Sequence, residues 1–80
     1  MGEMFVRGKN DRHGCHIDTN GLIKIDGLDP FFSNAYGDKK AAGPITVYYK
    51  DGIILTWDDG VLGGDMGNGK NRIVDGIISE

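Results

Sequence analysis

The chain uses one short pattern four times: Asp or Asn, then Gly, then two apolar residues. The copies begin at Asn20, Asp51, Asp59 and Asp75. Asn-Gly and Asp-Gly accept a positive φ and so turn the backbone sharply, and the apolar pair that follows suits a pleated strand. The repeat therefore predicts a mainly β fold, either a small antiparallel meander or a partly open barrel of five to six short strands.

The length of the chain limits how large a core it can build. Its 80 residues make one domain, 1–80, and a core of this size contributes only about 3–5 kcal/mol of net stability. Cys15 is the only cysteine, so no disulfide within the chain adds to that stability. We therefore expect association with further copies of the chain or with a protein partner.

The composition also indicates the cellular compartment and limits the classes of partner that are expected. A single thiol and the lack of a basic-plus-apolar signal segment predict a cytoplasmic protein, and no apolar run reaches the roughly 20 residues of a membrane helix. Twelve acids and nine bases give a net charge of −3. This balance argues against a general nucleic-acid binder, which needs a basic excess, and we expect no membrane partner.

Two hairpins are predicted, and burial decides their register. A three-residue turn at 50–52 pairs Val47 with Leu55 and Ile45 with Trp57, which gives one apolar face. The same turn type at 19–21 would place Cys15, Ile17, Ile23 and Ile25 on one face, with His16, Asp18, Leu22 and Lys24 on the other. A two-residue turn mixes the faces in both cases, so the three-residue turn, with Gly21 or Gly52 in the left-handed region, is favoured.

The remaining segments carry weaker signals. Asp29-Pro30 is typical of a helix start, so one short helix is predicted near residues 30–36, ending at Gly37 and covering part of the sheet. Most of the aromatic residues are expected in the core. For 72–79, helix and strand both remain open, and a final strand or a short hairpin around Asp75-Gly76 is favoured because Gly76 and the branched residues weaken a helix.

A glycine-rich segment carries the sharpest chemical motif. Residues 64–71 match the Gly-x4-Gly-Lys phosphate-binding loop, but Asn71 replaces the hydroxyl that would hold Mg²⁺. About ten residues follow Lys70, too few for the helix and parallel sheet that such a loop needs. Nucleotide hydrolysis is therefore not expected. A small anion or nucleotide held by the Gly63–Gly69 loop remains the alternative function, with candidate ligand-binding residues Gly64, Gly67, Gly69, Lys70 and Arg72.

Other combinations of reactive residues do not assemble a site. His13, Cys15 and His16 offer three metal ligands, but structural zinc takes four, and alternation along a strand points Cys15 inward and His16 outward. Neither serine lies in a nucleophile-elbow context. We expect no enzyme activity, no cofactor and no metal site.

The predicted polar face of the sheet is the best candidate for binding. It carries Leu22, Tyr48 and Ile54, which are costly to expose together in water and useful in an interface. The leading hypothesis is therefore a non-enzymatic interaction module, such as an inhibitor or a phage-type accessory protein. It would bind a protein partner or its own copies through a sheet face or edge.

Overall fold

A computed structural model describes residues 2–58, 61–64 and 72–77 of the chain. Within these residues the chain forms seven strands and no helix. The mainly β prediction is confirmed, with more strands than the five or six expected. The strands are β1 Glu3–Arg7, β2 His13–Asp18, β3 Leu22–Leu28, β4 Lys39–Tyr49, β5 Ile54–Asp58, β6 Val61–Gly64 and β7 Ile73–Ile77.

The long strand β4 joins the two halves of the sheet. Its first residues pair in parallel with β1, at Val6↔Lys39 and Arg7↔Lys40, and its second half pairs antiparallel with both β3 and β5. The strand order is β6-β5-β4-β1-β2-β7, with β3 beside β4. In the described residues β6 and β7 end this path without pairing with each other, so the sheet is partly open, as predicted.

The predicted β4–β5 hairpin is confirmed. Val47 lies opposite Leu55 and Ile45 opposite Trp57, and Gly52 has a φ of 93°. The amide of Tyr49 donates to the carbonyl of Ile53 at 3.0 Å and closes the turn. The inward face of this hairpin is fully buried, whereas the other face is exposed or half-buried. Register could be predicted here because both strands alternate without interruption.

The predicted hairpin between β2 and β3 is wrong, although its turn forms. Gly21 has a φ of 74°, and the amide of Leu22 donates to the carbonyl of Thr19 at 3.2 Å. However, β2 pairs with β1 and β7, and β3 pairs with β4. The apolar face of β2 is completed from β1, where Met4 lies opposite Ile17. The turn therefore leads from one half of the sheet to the other.

The predicted faces of β3 are also wrong at its start. The register moves from Leu22↔Tyr49 to Lys24↔Tyr48, so two residues of β3 oppose one residue of β4. This bulge exposes both Ile23 and Lys24 and turns Leu22 towards the core. An extra residue in one strand reverses the alternation on one side of it, which is why Leu22 and Ile23 exchange their predicted positions.

No helix forms near residues 30–36. The capping hydrogen bond does form, because the amide of Phe31 donates to Asp29 Oδ1 at 2.9 Å. The chain then turns again, since Asn34 Oδ1 accepts the amides of Tyr36 and Asp38 at 3.2 and 3.0 Å. Side chains of this type compete with the helix for backbone groups. The segment between β3 and β4 is therefore a loop.

The last described segment is a strand, as favoured, but it contains no hairpin. In β7, Asp75 lies opposite Cys15 and Gly76 opposite Gly14. In this copy of the repeated pattern, Asp75, Gly76 and Ile77 therefore lie within a strand and make no turn. In the copy that begins at Asp59, residues 59 and 60 lie outside the described residues, and Val61 and Leu62 begin β6.

The core lies on the inner side of the curved sheet. The buried side chains come from both halves of the sheet, and Trp57 is the largest of them. They are Val6, Cys15, Ile17, Ala41, Ile45, Val47, Tyr49, Leu55, Trp57 and Ile73.

The part of the chain that the structure describes contains no helix long and apolar enough to cross a membrane.

Candidate protein-binding surface

An apolar patch crosses three strands on the outer side of the sheet. Tyr48 of β4 lies between Lys24 of β3 and Ile54 of β5 in the hydrogen-bonded ladder. The Lys24 ammonium lies 4.8 Å from the centre of the Tyr48 ring, and the bulge places Ile23 beside them on the exposed side of the strand. We call Ile23, Lys24, Tyr48 and Ile54 the outer patch.

The outer patch exposes its apolar side chains on hydrogen-bonded strands. Ile23 is 59% exposed and Ile54 is 48% exposed. Polar or charged residues follow two positions further along the same three strands. Thr46 lies there between Asp26 of β3 and Thr56 of β5. An apolar centre with a polar rim is the usual composition of a protein interface.

The sequence identified two of the four residues in this patch. Tyr48 and Ile54 are adjacent, as predicted, but Leu22 packs against the core instead. Ile23 takes its place because of the bulge. The run Leu22-Ile23 followed by Ile25 breaks strict alternation, and this irregularity is the signal that could have located the bulge.

The free side of β3 is poorly suited to pairing with another strand. Within the described residues β3 pairs with β4 alone, and its register shifts twice, between Leu22 and Lys24 and between Asp26 and Leu28. At the second shift Gly27 has a φ of 96°, and a β-carbon there would collide with the carbonyl oxygen of Pro44. Bulges and charged residues are the usual protection of an edge strand, so binding through the face is favoured over binding through this edge.

The proposed anion-binding residues receive little support where they are described. Gly64 is the last residue of β6 and lies opposite Leu55. Arg72 Nη2 donates to Asp51 Oδ2 at 2.6 Å, and Nη1 donates to Asp51 Oδ1 at 3.1 Å. The guanidinium charge is thus already neutralised by a carboxylate of the same chain. Gly67, Gly69 and Lys70 lie outside the described residues.

Arg72 is instead part of a cluster that fastens β7 to the β4–β5 turn. Its guanidinium carbon lies 4.2 Å from the centre of the Tyr49 ring, and the Tyr49 hydroxyl donates to the carbonyl of Asp18 at 2.7 Å. Hydrogen bonds from Arg72 hold the pKa of the Asp51 carboxyl below its usual value. Burial, reinforced by the charge of Asp18, raises the pKa of the Tyr49 hydroxyl to about 12. Each of these groups therefore has a structural partner within the chain.

Of the three possible metal ligands in β2, Cys15 and His16 lie on opposite sides of the sheet. Cys15 is fully buried on the inner side of the sheet, whereas His16 is exposed on the outer side, where its ring lies tilted against that of Phe5 with the ring centres 4.9 Å apart. His13 lies at the first position of the same strand. No group of three His, Cys, Asp or Glu side chains gathers to hold a metal among the residues that the structure describes.

Two aromatic residues that we expected to help cover the sheet are almost fully exposed. Phe31 is 93% exposed and Tyr36 is 85% exposed. Both lie in the loop that replaces the predicted helix. The sequence contained no signal for this exposure, because a helix would have turned one aromatic face towards the sheet.

Comparisons of the chain with protein-family models, with curated proteins and with solved structures find no match.

Proposed function

We propose that this protein is a non-enzymatic interaction module that binds a protein through the outer patch. The observation that supports the proposal most is the pair of exposed isoleucines, Ile23 and Ile54, on either side of Tyr48. Three hydrogen-bonded strands hold these side chains in place. A partner would therefore bury apolar area with little loss of backbone freedom, which is the condition for a strong central contact.

The cytoplasm remains our proposed compartment, on the grounds of the single cysteine. An inhibitor or an accessory protein of the phage type acts by covering a surface of its target. Such a role requires a rigid contact face and does not depend on reactive groups.

A second copy of the chain is one partner that the patch fits. Lys24 and Asp26 lie on the same exposed strand, with Lys24 Nζ 3.6 Å from Asp26 Oδ2. If two copies approached with their β3 strands antiparallel about a two-fold axis, each Lys24 would meet the Asp26 of the other copy. Such a surface is complementary to itself, as a two-fold interface requires.

The test compares substitutions in the patch with one matched substitution outside it. Ile23→Asp and Ile54→Asp each place a charge in the patch. Val74→Asp is the control, because Val74 is a strand residue of similar exposure, 51% against 48% for Ile54, in the other half of the sheet. Circular dichroism and thermal melting first establish that all three variants fold.

Sedimentation equilibrium and capture from an extract of the source cell then identify the partner as a second copy or another protein. We expect both patch variants to raise the dissociation constant at least about tenfold, the effect of losing a central contact. Val74→Asp should leave it unchanged. A partner that both patch variants bind as tightly as the unmodified chain does would refute the proposal.

A further inference from the structure

The loop between β3 and β4 presents two aromatic side chains directly to solvent. We call its residues 30–37 the aromatic tip. Phe31 and Tyr36 in this tip are 93% and 85% exposed, the two highest values among the exposed large apolar side chains of the described residues. Exposing two large rings is unfavourable in water, so a contact that covers them would gain free energy.

Side chains within the loop fix the backbone of the aromatic tip. Asp29 Oδ1 accepts the amide of Phe31 at 2.9 Å. Asn34 Oδ1 accepts the amide of Tyr36 at 3.2 Å, and the Asn34 amide group donates to Asp38 Oδ2 at 3.0 Å. The backbone amide of each exposed aromatic residue is therefore hydrogen-bonded within the loop. Binding would not require the tip to be ordered first, which removes one of the main costs of association.

The base of the loop is anchored to the rest of the sheet. The amide of Asp29 donates to the carbonyl of Lys40 at 2.8 Å, and Arg7 Nε lies 3.7 Å from Asp38 Oδ2. Lys40 Nζ lies 3.3 Å from Asp11 and 5.7 Å from the centre of the Phe32 ring. Phe32 is thus half-buried beside Lys40 at the base, whereas Phe31 and Tyr36 are exposed.

Charge indicates what kind of molecule would cover the tip. None of residues 30–37 is charged, and the whole chain carries −3. Nucleic acids and anionic membranes are recognised with lysine and arginine beside the aromatic groups. The tip itself contains neither, and the Lys40 and Arg7 charges at its base are paired with Asp11 and Asp38. A convex, uncharged and pre-ordered pair of rings fits an apolar pocket in a protein. We propose that Phe31 and Tyr36 are the anchors of a second protein-binding surface, inserted into an apolar pocket of a partner protein.

This surface is separate from the outer patch. The tip precedes Lys39, the first residue of β4, and Tyr48 is nine residues further along the strand. On the neighbouring strand, the residues opposite Ala41 and Tyr48 are Leu28 and Lys24, which are separated by roughly 13 Å at about 3.3 Å per residue. The proposal therefore does not depend on the outer patch, and it is tested with different residues.

Site-specific photocrosslinking tests the aromatic tip. The photoreactive amino acid p-benzoyl-L-phenylalanine replaces Phe31, and the protein is irradiated in its source cell. We expect one discrete adduct with another protein, lost when Tyr36→Ala is added and retained when Ser33→Ala is added. Ser33 is the matched control because it is an exposed, uncharged residue of the same tip.

The crosslinked protein is then purified and titrated with the unmodified chain and its variants. We expect Phe31→Ala and Tyr36→Ala each to raise the dissociation constant at least about tenfold, as the loss of an aromatic anchor does, and Ser33→Ala to leave it unchanged. Phosphatidylcholine vesicles with and without phosphatidylserine, and single-stranded DNA and RNA, are titrated in parallel.

Four results would overturn the proposal. They are the absence of an adduct at position 31, an adduct only with a second copy of this chain, binding to the purified partner that neither aromatic substitution weakens, and binding to vesicles or nucleic acid that depends on Phe31.

Discussion

Arg72 and Asp51 form a two-point ion pair between segments far apart in the sequence. The two nitrogen–oxygen distances are 2.6 and 3.1 Å, and the guanidinium also covers the ring of Tyr49. In addition, the amide of Asp18 donates to the carbonyl of Arg72 at 2.8 Å. The residue just before β7 thus contacts the β4–β5 turn through its side chain and the end of β2 through its backbone.

A double-mutant cycle should show that the two side chains act as one unit. Asp51→Asn keeps an oxygen for the amide of Ile53, which Asp51 Oδ1 accepts at 3.1 Å, but removes the charge. Arg72→Gln removes both the charge and the contact with the Tyr49 ring. We expect each substitution to lower the melting temperature. The decrease in the double variant should be smaller than the sum of the two single decreases.

Lys9→Ala, at an exposed position, is the control for a change of charge alone. We expect its effect on the melting temperature to add independently to that of either variant. Strict additivity of Asp51→Asn and Arg72→Gln would contradict a direct interaction.

Acid should weaken this ion pair. The pKa of Asp51 is lowered in the folded protein from its ordinary value of 3.8, so the unfolded chain binds a proton at a higher pH than the folded protein does. The stability that Asp51 contributes is therefore present above pH 3.8 and is lost as the pH falls below that value. Melting temperatures measured from pH 6 to pH 2 should fall less steeply for Asp51→Asn than for the unmodified protein. Parallel curves would show that Asp51 does not titrate with folding.

Tyr49 should make the protein sensitive to alkali. Its pKa is raised from 10.0 to about 12 in the folded protein, so the unfolded chain loses this proton first as the pH rises. The corresponding stability is present below pH 10 and is lost between pH 10 and about 12. Absorbance at 295 nm should show an ionisation near pH 12 that Tyr49→Phe removes. The same variant should melt lower at neutral pH, because it lacks the hydrogen bond to the carbonyl of Asp18.

Four glycines should differ in their tolerance of a side chain. Gly21 and Gly52 have positive φ and open space around them, so Val at either position should cost about 1–3 kcal/mol through backbone strain alone. Gly27→Ala should cost more, because it adds a collision with Pro44 to a φ of 96°. Gly43 has neither constraint, and Gly43→Ala is the control. If Gly43→Ala lowered the free energy of unfolding as much as Gly27→Ala does, this order would be contradicted.

The fold could be predicted where local pattern and distant pairing agree. The β4–β5 hairpin is an example, since its turn and its alternation specify the same register. For β2 the alternation of Cys15 and Ile17 predicts which side is buried, but it does not say which strand lies alongside. That choice depends on β1, where Met4 offers an equally apolar partner, and on β7, which is more than 50 residues away.

The candidate surfaces could be predicted only in part for the same reason. Tyr48 and Ile54 follow from the regular alternation of their hairpin, whereas Ile23 depends on a bulge of one residue. The exposed Phe31 and Tyr36 lie in a loop whose backbone is held by side chains, because Asp29 accepts the amide of Phe31 and Asn34 accepts the amides of Tyr36 and Asp38. Hydrogen bonds of this kind from individual side chains leave no trace in the hydrophobic pattern of the sequence, so the exposure of these aromatic residues could not be predicted from it.

Self-association through the outer patch is the last prediction. At micromolar concentration we expect a dimer or a higher oligomer, and therefore a mass of at least twice the 8.7 kDa of one chain. Two copies related by a two-fold axis would bring the patches together, with Lys24 of each near Asp26 of the other. Ile54→Asp places like charges in that contact, where they repel. It should give the monomer mass without changing the circular dichroism spectrum, while Val74→Asp keeps the mass of the assembly. High salt should weaken the assembly in proportion to the contribution of the Lys24 and Asp26 pairs. A monomer mass for the unmodified chain would refute self-association and leave another protein as the partner of the outer patch.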